Sequence, residues 1–181
     1  MTKEEIIEVV ADLYEEYSIS EFGFSLIDYC DKAEISLIPY SSYGDKANAF
    51  FKIDNDGFNM INPTTNKCEI YYNDKVKPLL RIKFTIPHEI GHISLGHNLL
   101  NCDETPKQRT EANIFANEFY CPQVFLIHYN LQTKKQLMST FKITAKYADT
   151  LLDILSKRRN TKYSPAEERL LKIFLRNRKN K

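Results

Sequence analysis

Long apolar runs are missing from this sequence. None is long enough to span a bilayer, and the N-terminus lacks the apolar segment of a signal peptide, so nothing indicates membrane insertion or export. Repeats and low-complexity segments are also missing. We therefore expect a cytoplasmic protein. The four cysteines form no C-x-x-C pair, and in a reducing compartment we expect free thiols at Cys30, Cys68, Cys102 and Cys121.

A strong excess of either charge is absent as well, since the 181 residues carry a formal net charge of +1. The charges are unevenly distributed, however. Residues 1–31 are mostly acidic and residues 157–181 mostly basic. Such ends can attract each other, a partner or nucleic acid, or form solvated helix faces. The length fits one domain, with or without a small appendage, and 43% hydrophobic residues suffice for a core.

One segment, His88-Glu89-Ile90-Gly91-His92, carries the H-E-x-x-H pattern of zinc proteases. On a helix with about 3.6 residues per turn, His88 and His92 lie one above the other and can bind one ion. With a third protein ligand, zinc keeps one position for water and lowers its pKa toward about 7. Glu89 is then the general base that passes the proton to the leaving amine. The alternative is a surface helix whose histidines are four residues apart by chance.

The residues around the motif favour a helix. Apolar residues at helical spacing precede and follow it, which predicts a helix over residues 79–95 with Gly96 as its C-cap. Pro87 lacks the N–H of an interior helical residue. We therefore expect a kink or a new helix start just before His88.

Two sequence blocks, in the same order, resemble the ImmA/IrrE family of metallo-endopeptidases. The first is Arg81–Thr85 followed by the H-E-x-x-H motif. The second, Glu111–Pro122, reads EANIFANEFYCP and is similar to the E-A-N-x-F-A-x-E-L-L-M-P helix of that family. The resemblance extends more weakly over about residues 5–155. It implies a Zn²⁺ site with His88 and His92 as ligands and Glu89 as the catalytic residue.

The third zinc ligand departs from the family pattern. The family has a glutamate three residues before the Ala of A-N, where this chain has Arg109, and arginine stays protonated and cannot bind zinc. Glu111 is the nearest substitute and is the predicted third ligand. With a buried stripe of Ala112, Phe115, Ala116 and Phe119, it points away from the metal unless the helix starts late or is rotated. It is otherwise a solvated carboxylate at the helix start. The remaining candidates are Asp103, Glu104, His97 and the Cys102 thiol.

The rest of the chain predicts an α+β fold with a small antiparallel sheet beside the motif helix. Turn residues at 54–57 and 62–64 separate the last three strands. The predicted elements are helices at residues 4–17 and 24–32 and strands at 34–38, 49–53, 58–61 and 68–72. The resemblance implies a thermolysin-like (gluzincin-like) arrangement, in which an edge strand pairs with an extended substrate.

The C-terminal part is predicted to be helical. Residues 134–155 indicate a helix, a short turn and a second helix with Thr144 as N-cap, which is similar to the helix-turn-helix-like unit of the family. Ser164 starts a last helix that ends in a basic run. Tyr147, Asp149 and Asp153 make a poor phosphate-facing surface. We therefore expect this unit to pack against the peptidase core and do not expect direct nucleic-acid binding.

The sequence thus predicts a zinc metallopeptidase domain at residues 1–130 and a helical region at residues 131–181. The resemblance implies a regulatory protease that cleaves a helix-turn-helix transcriptional repressor of a phage or mobile element, and so acts as an anti-repressor. The alternative, which Arg109 would allow, is a module of the same fold that has lost efficient hydrolysis and that binds and inactivates a repressor without cutting it. A third hypothesis is DNA binding through residues 134–181, with an affinity that falls steeply with salt.

Overall fold

The computed structural model describes residues 1–97, 104–158 and 162–180 and shows an α+β protein with a small mixed sheet. The strands are β1 (Ser36–Pro39), β2 (Gly57–Ile61) and β3 (Cys68–Tyr72). The α-helices are α1 (Lys3–Glu16), α2 (Leu26–Lys32), α3 (Ile82–Ser94), α4 (Pro106–Tyr120), α5 (Gln123–His128), α6 (Lys134–Phe141), α7 (Ala145–Ser156) and α8 (Pro165–Lys179). Two 3₁₀ segments cover Tyr40–Lys52 and Leu79–Arg81.

The chain forms two compact units. The sheet unit comprises Ser25–Asn113, and the helical unit comprises Met1–Phe24 together with Ile114–Lys181. Helix α4 begins in the first and ends in the second. Its predicted stripe, Ala112, Phe115, Ala116 and Phe119, is fully buried, which confirms that prediction. The domain boundary near residue 130 stays a prediction.

The sheet has the strand order β1-β3-β2. Strand β2 is antiparallel to β3, as predicted, but β1 is parallel to β3, so the sheet is mixed rather than antiparallel. The predicted strand at residues 49–53 is wrong, because these residues lie in or just after the 3₁₀ segment Tyr40–Lys52. A 3₁₀ period of three places Ala47 and Phe50 on one side. There they pack against a cluster formed by Tyr40, Phe58 and Tyr71.

The two faces of the sheet carry different residues. Because side chains alternate along a strand, Phe58 belongs to the face covered by the aromatic cluster and Asn59 to the opposite face, where it contacts α3. Gly57, at the start of β2, allows that helix to lie close. A Cβ atom at residue 57 would be 2.7 Å from Thr85 Cγ2.

Helix α3 carries the H-E-x-x-H motif; it begins at Ile82 rather than residue 79 and ends one residue before the predicted end, with Leu95 rather than Gly96 as its C-cap. Gly96 has a φ of +65°, and it follows the C-cap residue Leu95. The Gly96 N–H donates to the Ile93 carbonyl (3.2 Å) and the His97 N–H to the His92 carbonyl (3.0 Å), which is a Schellman motif. This reversal returns His97 to the last turn of the helix. Pro87 lies inside α3, so no new helix starts before His88.

The helical unit is built around the packing of α8 on α1. The acidic and basic ends noted in the sequence attract each other here. Arg169 donates to Glu8 (2.7 Å) and Asp12 (2.7 Å), and Arg176 donates to Glu15 (2.9 Å). Thr144 caps α7 and Ser164 caps α8, as predicted. In the part of the chain that the structure describes, every helix is too short or too polar to cross a bilayer.

Candidate metal centre

Three potential metal ligands meet in the sheet unit: His88, His92 and Glu104. The two histidines project from successive turns of α3, and Glu104 lies two residues before α4. The Nε2 atoms of His88 and His92 are 3.2 Å apart. Glu104 Oε1 is 3.0 Å from His92 Nε2 and 3.5 Å from His88 Nε2.

These separations fit a single zinc ion. Ligand atoms about 2.0–2.1 Å from a tetrahedral zinc lie about 3.3 Å from one another. The three observed separations, 3.0, 3.2 and 3.5 Å, bracket that value. Two imidazoles and one carboxylate form the ligand set of many catalytic zinc sites, in which a fourth position is free for water or substrate.

Burial keeps both histidines in the form that binds metal. Removal from water lowers the pKa of His88, and it lowers that of His92 to about 4, with the neighbouring His88 ring as a second cause. An imidazole must be neutral to offer a lone pair to a metal ion. Near neutral pH, protons therefore compete little for these two ligands.

His92 is also supported on its other side. Its Nδ1 lies 3.0 Å from His97 Nδ1, and His97 Nε2 lies 3.1 Å from Glu111 Oε2. Because a carboxylate only accepts, His97 Nε2 donates to Glu111; with both imidazoles neutral, His97 Nδ1 then accepts from His92 Nδ1–H. This series of hydrogen bonds leaves the lone pair of His92 on Nε2, the atom that faces His88 and Glu104. Ligand histidines commonly have such a support.

Glu104 is held by an arginine. Arg109 Nε donates to Glu104 Oε2, while Oε1 faces the two histidines. Arg109, which stands where the family pattern has a glutamate, thus contacts Glu104, whose carboxylate lies beside His88 and His92.

Glu89 is buried on the same helix and contacts the sheet. Asn59 Nδ2 donates to Glu89 Oε2 at 2.5 Å. Burial raises the pKa of Glu89 to about 8, although the Asn59 hydrogen bond opposes the shift. A general base whose pKa is near the working pH exchanges protons readily in both directions.

These residues line one cleft of about 600 Å³. Ile53 and Phe84 give it apolar surface, and β2, at the edge of the sheet, contributes Gly57, Phe58 and Asn59. Asp54 and Asp56 also line the cleft, and Asp56 is paired with Arg81. The cleft thus combines a potential metal site, a buried acid–base residue and a strand edge.

The predicted site residues do not all meet. His88, Glu89 and His92 do, whereas Glu111 lies outside the three-ligand group, on His97. Glu104, one of the remaining candidates in the sequence, is the third residue of that group. Asp103 and Cys102 lie outside the described residues. Sequence reasoning missed Asn59, although a polar residue in the apolar run Phe58–Ile61 was a usable signal.

Paired histidines, a third carboxylate and a buried glutamate beside a strand edge define a candidate metal-dependent peptidase. A family model described as Peptidase_M78, the IrrE N-terminal-like domain, matches residues 32–152. The chain therefore belongs to this metallopeptidase family, which confirms the resemblance found in the sequence. Searches of curated proteins and of solved structures gave no match.

Proposed function

We propose that this protein is a zinc-dependent endopeptidase in which His88, His92 and Glu104 bind the metal and Glu89 is the general base. The observation that carries the proposal is the set of separations between the three ligand atoms, which fits one tetrahedral ion. Glu104 replaces Glu111 as the third ligand in this proposal. Glu111 supports His92 through His97 instead.

The chemistry divides between the metal and Glu89. When bound, zinc supplies a Lewis acid that polarises the scissile carbonyl and makes water nucleophilic at neutral pH. Asn59 occupies Glu89 Oε2, which leaves Oε1 to take the proton from the attacking water. The same atom then delivers that proton to the leaving amine. An extended peptide pairs with the outer edge of β2, which lines the cleft.

The substrate we propose is a helix-turn-helix repressor of a phage or mobile element, cleaved in the cytoplasm. Family membership and the resemblance in the sequence support this choice. Direct DNA binding is not part of the proposal, because α7 presents Asp149 and Asp153, both exposed, beside its one lysine, Lys146.

One observation favours a second function. The positive charge of Arg109 lies beside Glu104 and opposes a nearby cation. A site weakened in this way would belong to a module that binds and inactivates a repressor without cutting it. Zinc content distinguishes the two functions.

The first experiment measures zinc and cleavage together. Elemental analysis after incubation with zinc should give about one ion per chain, lost in His88→Ala and Glu104→Gln and kept in Glu111→Gln. Cleavage of purified helix-turn-helix repressors of phages or mobile elements is then followed by mass spectrometry. Glu89→Gln should keep the zinc and lose the cleavage, because it removes the base and no ligand. Cleavage by Glu89→Gln, or by the metal-free protein, overturns the mechanism.

A further inference from the structure

The contact between Arg109 and Glu104 indicates a role for the arginine that the sequence pattern does not indicate. We propose that Arg109 is a positioning residue, which holds the Glu104 carboxylate so that one oxygen faces His88 and His92. The proposal rests on the function above, since it requires Glu104 to be a metal ligand.

The two oxygens of Glu104 have separate partners. Oε2 accepts from Arg109 Nε, and Oε1 is the atom 3.0 Å from His92 Nε2 and 3.5 Å from His88 Nε2. An arginine nitrogen offers a donor in a fixed plane, so this contact sets the rotation of the carboxylate and not only its distance. The arrangement assigns Oε1 to the metal and keeps Glu104 a ligand through one oxygen.

Glu104 needs such a support because it lies outside a helix. The two histidines are fixed by the backbone of α3, whereas Glu104 lies two residues before α4, with only Thr105 between them. Thr105 caps α4: its Oγ1 accepts from the Gln108 N–H (3.2 Å), and Gln108 Oε1 accepts from the Thr105 N–H (2.9 Å). This reciprocal capping box fixes the backbone beside Glu104. Arg109, one helical turn further on, fixes its side chain.

The positive charge of Arg109 and its hydrogen bond to Glu104 have opposite effects on zinc affinity. A guanidinium repels a nearby cation, so an arginine that acted only by charge would weaken zinc binding. An arginine that acts by positioning strengthens it, because outer-shell partners of metal ligands typically contribute about 10- to 100-fold in affinity. Removal of the side chain therefore changes the affinity in opposite directions under the two roles.

The test is a zinc affinity measured by competition with a chromophoric chelator on the full chain. Arg109→Gln should weaken zinc binding about tenfold or more, and Arg109→Lys should weaken it at least as much, since it keeps the repelling charge without the planar donor. In a Glu104→Gln background, Arg109→Gln should cause no further loss. Zinc binding by Arg109→Gln that equals or exceeds that of the wild type overturns the proposal.

A matched control is Lys67→Gln, which removes another exposed cation of the sheet unit, paired with Glu34 outside the cleft lining. Its zinc affinity should be that of the wild type. The Co²⁺-substituted protein gives a second readout: its visible absorption reports coordination geometry and should change in Arg109→Gln but not in Lys67→Gln.

The outcomes separate this inference from the function on which it rests. Loss of zinc in Glu104→Gln with no loss in Arg109→Gln keeps the ligand set and rejects the role of Arg109. Wild-type zinc binding by both His88→Ala and Glu104→Gln rejects the ligand set, and this inference with it.

Discussion

His97 connects a buried carboxylate to one of the two proposed histidine ligands. The Schellman turn at Gly96 returns His97 to the end of α3, where its ring contacts His92 on one side and Glu111 on the other. Both partner side chains are nearly buried, so water substitutes poorly for either contact. His97 thereby fixes which nitrogen of His92 carries the lone pair.

Substitution of His97 by alanine should therefore weaken zinc binding about 10- to 100-fold without removing a ligand. The zinc affinity, measured by chelator competition, checks this expectation. His128→Ala serves as the control, because His128 is exposed at the end of α5. Equal zinc affinities for the His97→Ala and His128→Ala proteins would show that the hydrogen bonds from Glu111 through His97 to His92 contribute nothing to zinc binding.

Glu89 should make the stability of the metal-free protein depend on pH. Its pKa is about 8 in the fold against an ordinary value of 4.5, so the folded state binds its proton more tightly than the unfolded state does. The stabilisation present below about pH 4.5 is then lost as the pH rises toward 8. Glu89→Gln removes this dependence, because an amide does not titrate.

With a chelator present, the free energy of unfolding of Glu89→Gln minus that of the wild type should rise as the pH increases from about 4.5 to about 8. The difference should change by an amount on the order of a few kcal/mol over this range. Urea unfolding of both proteins at several pH values measures it. Parallel curves for the two proteins would mean that Glu89 has an ordinary pKa in the fold.

The sequence identified the histidines and Glu89 because a helix converts a spacing of four residues directly into proximity. It could not single out Glu104, which lies before α4, where no periodicity relates it to the motif. The position of Asn59 beside Glu89 depends on strand register and on the packing of α3 over β2. Both are long-range properties that local patterns do not contain.

The contact between α3 and β2 places Glu89 beside Asn59, and Gly57 makes that contact possible. A methyl group at residue 57 would lie 2.7 Å from Thr85 Cγ2 and 2.9 Å from the Tyr71 carbonyl oxygen. Backbone on one side and a buried β-branched side chain on the other leave little room for adjustment. The helix or the strand must therefore shift.

Gly57→Ala should lower the free energy of unfolding by about 1–3 kcal/mol, as overpacking does. It should also lower kcat/KM, since the shift separates Asn59 from Glu89. The Thr85→Ser protein lacks the Cγ2 atom. In that background, Gly57→Ala should therefore lower the free energy of unfolding by less than it does in the wild type. Denaturant unfolding of the four proteins tests this, and a Gly57→Ala protein as stable as the wild type contradicts it.

The elements predicted from local signals, namely the helices and the β2–β3 hairpin, agree with the structure. The exception is residues 49–53, whose aromatic and apolar residues are typical of a strand. Here tertiary packing decides, since a period of three brings Ala47 and Phe50 onto the aromatic cluster. The parallel pairing of β1 with β3 was likewise beyond local patterns, because the paired residues are about thirty positions apart.

Helix α8 lies beyond the segment that the family model matches, yet it belongs to the same compact unit as α1. Its buried apolar side chains are Ala166, Leu170, Leu171, Ile173 and Phe174. Each large apolar side chain contributes about 1.5–3 kcal/mol when fully buried. Four such residues together match the stability of a typical domain, about 5–15 kcal/mol.

Deletion of residues 162–181 should therefore leave the helical unit unfolded or aggregated, even though the deletion removes no proposed site residue. Circular dichroism during heating should show no cooperative unfolding transition of the helical unit. The helix content should be lower than expected if α8 alone were lost and the other helices stayed folded. Lys172→Ala is the control on α8, because its side chain is 77% exposed and its removal should leave the transition unchanged. A deletion protein that melts at the wild-type temperature would show that α1 and the residues packed against it are stable without α8.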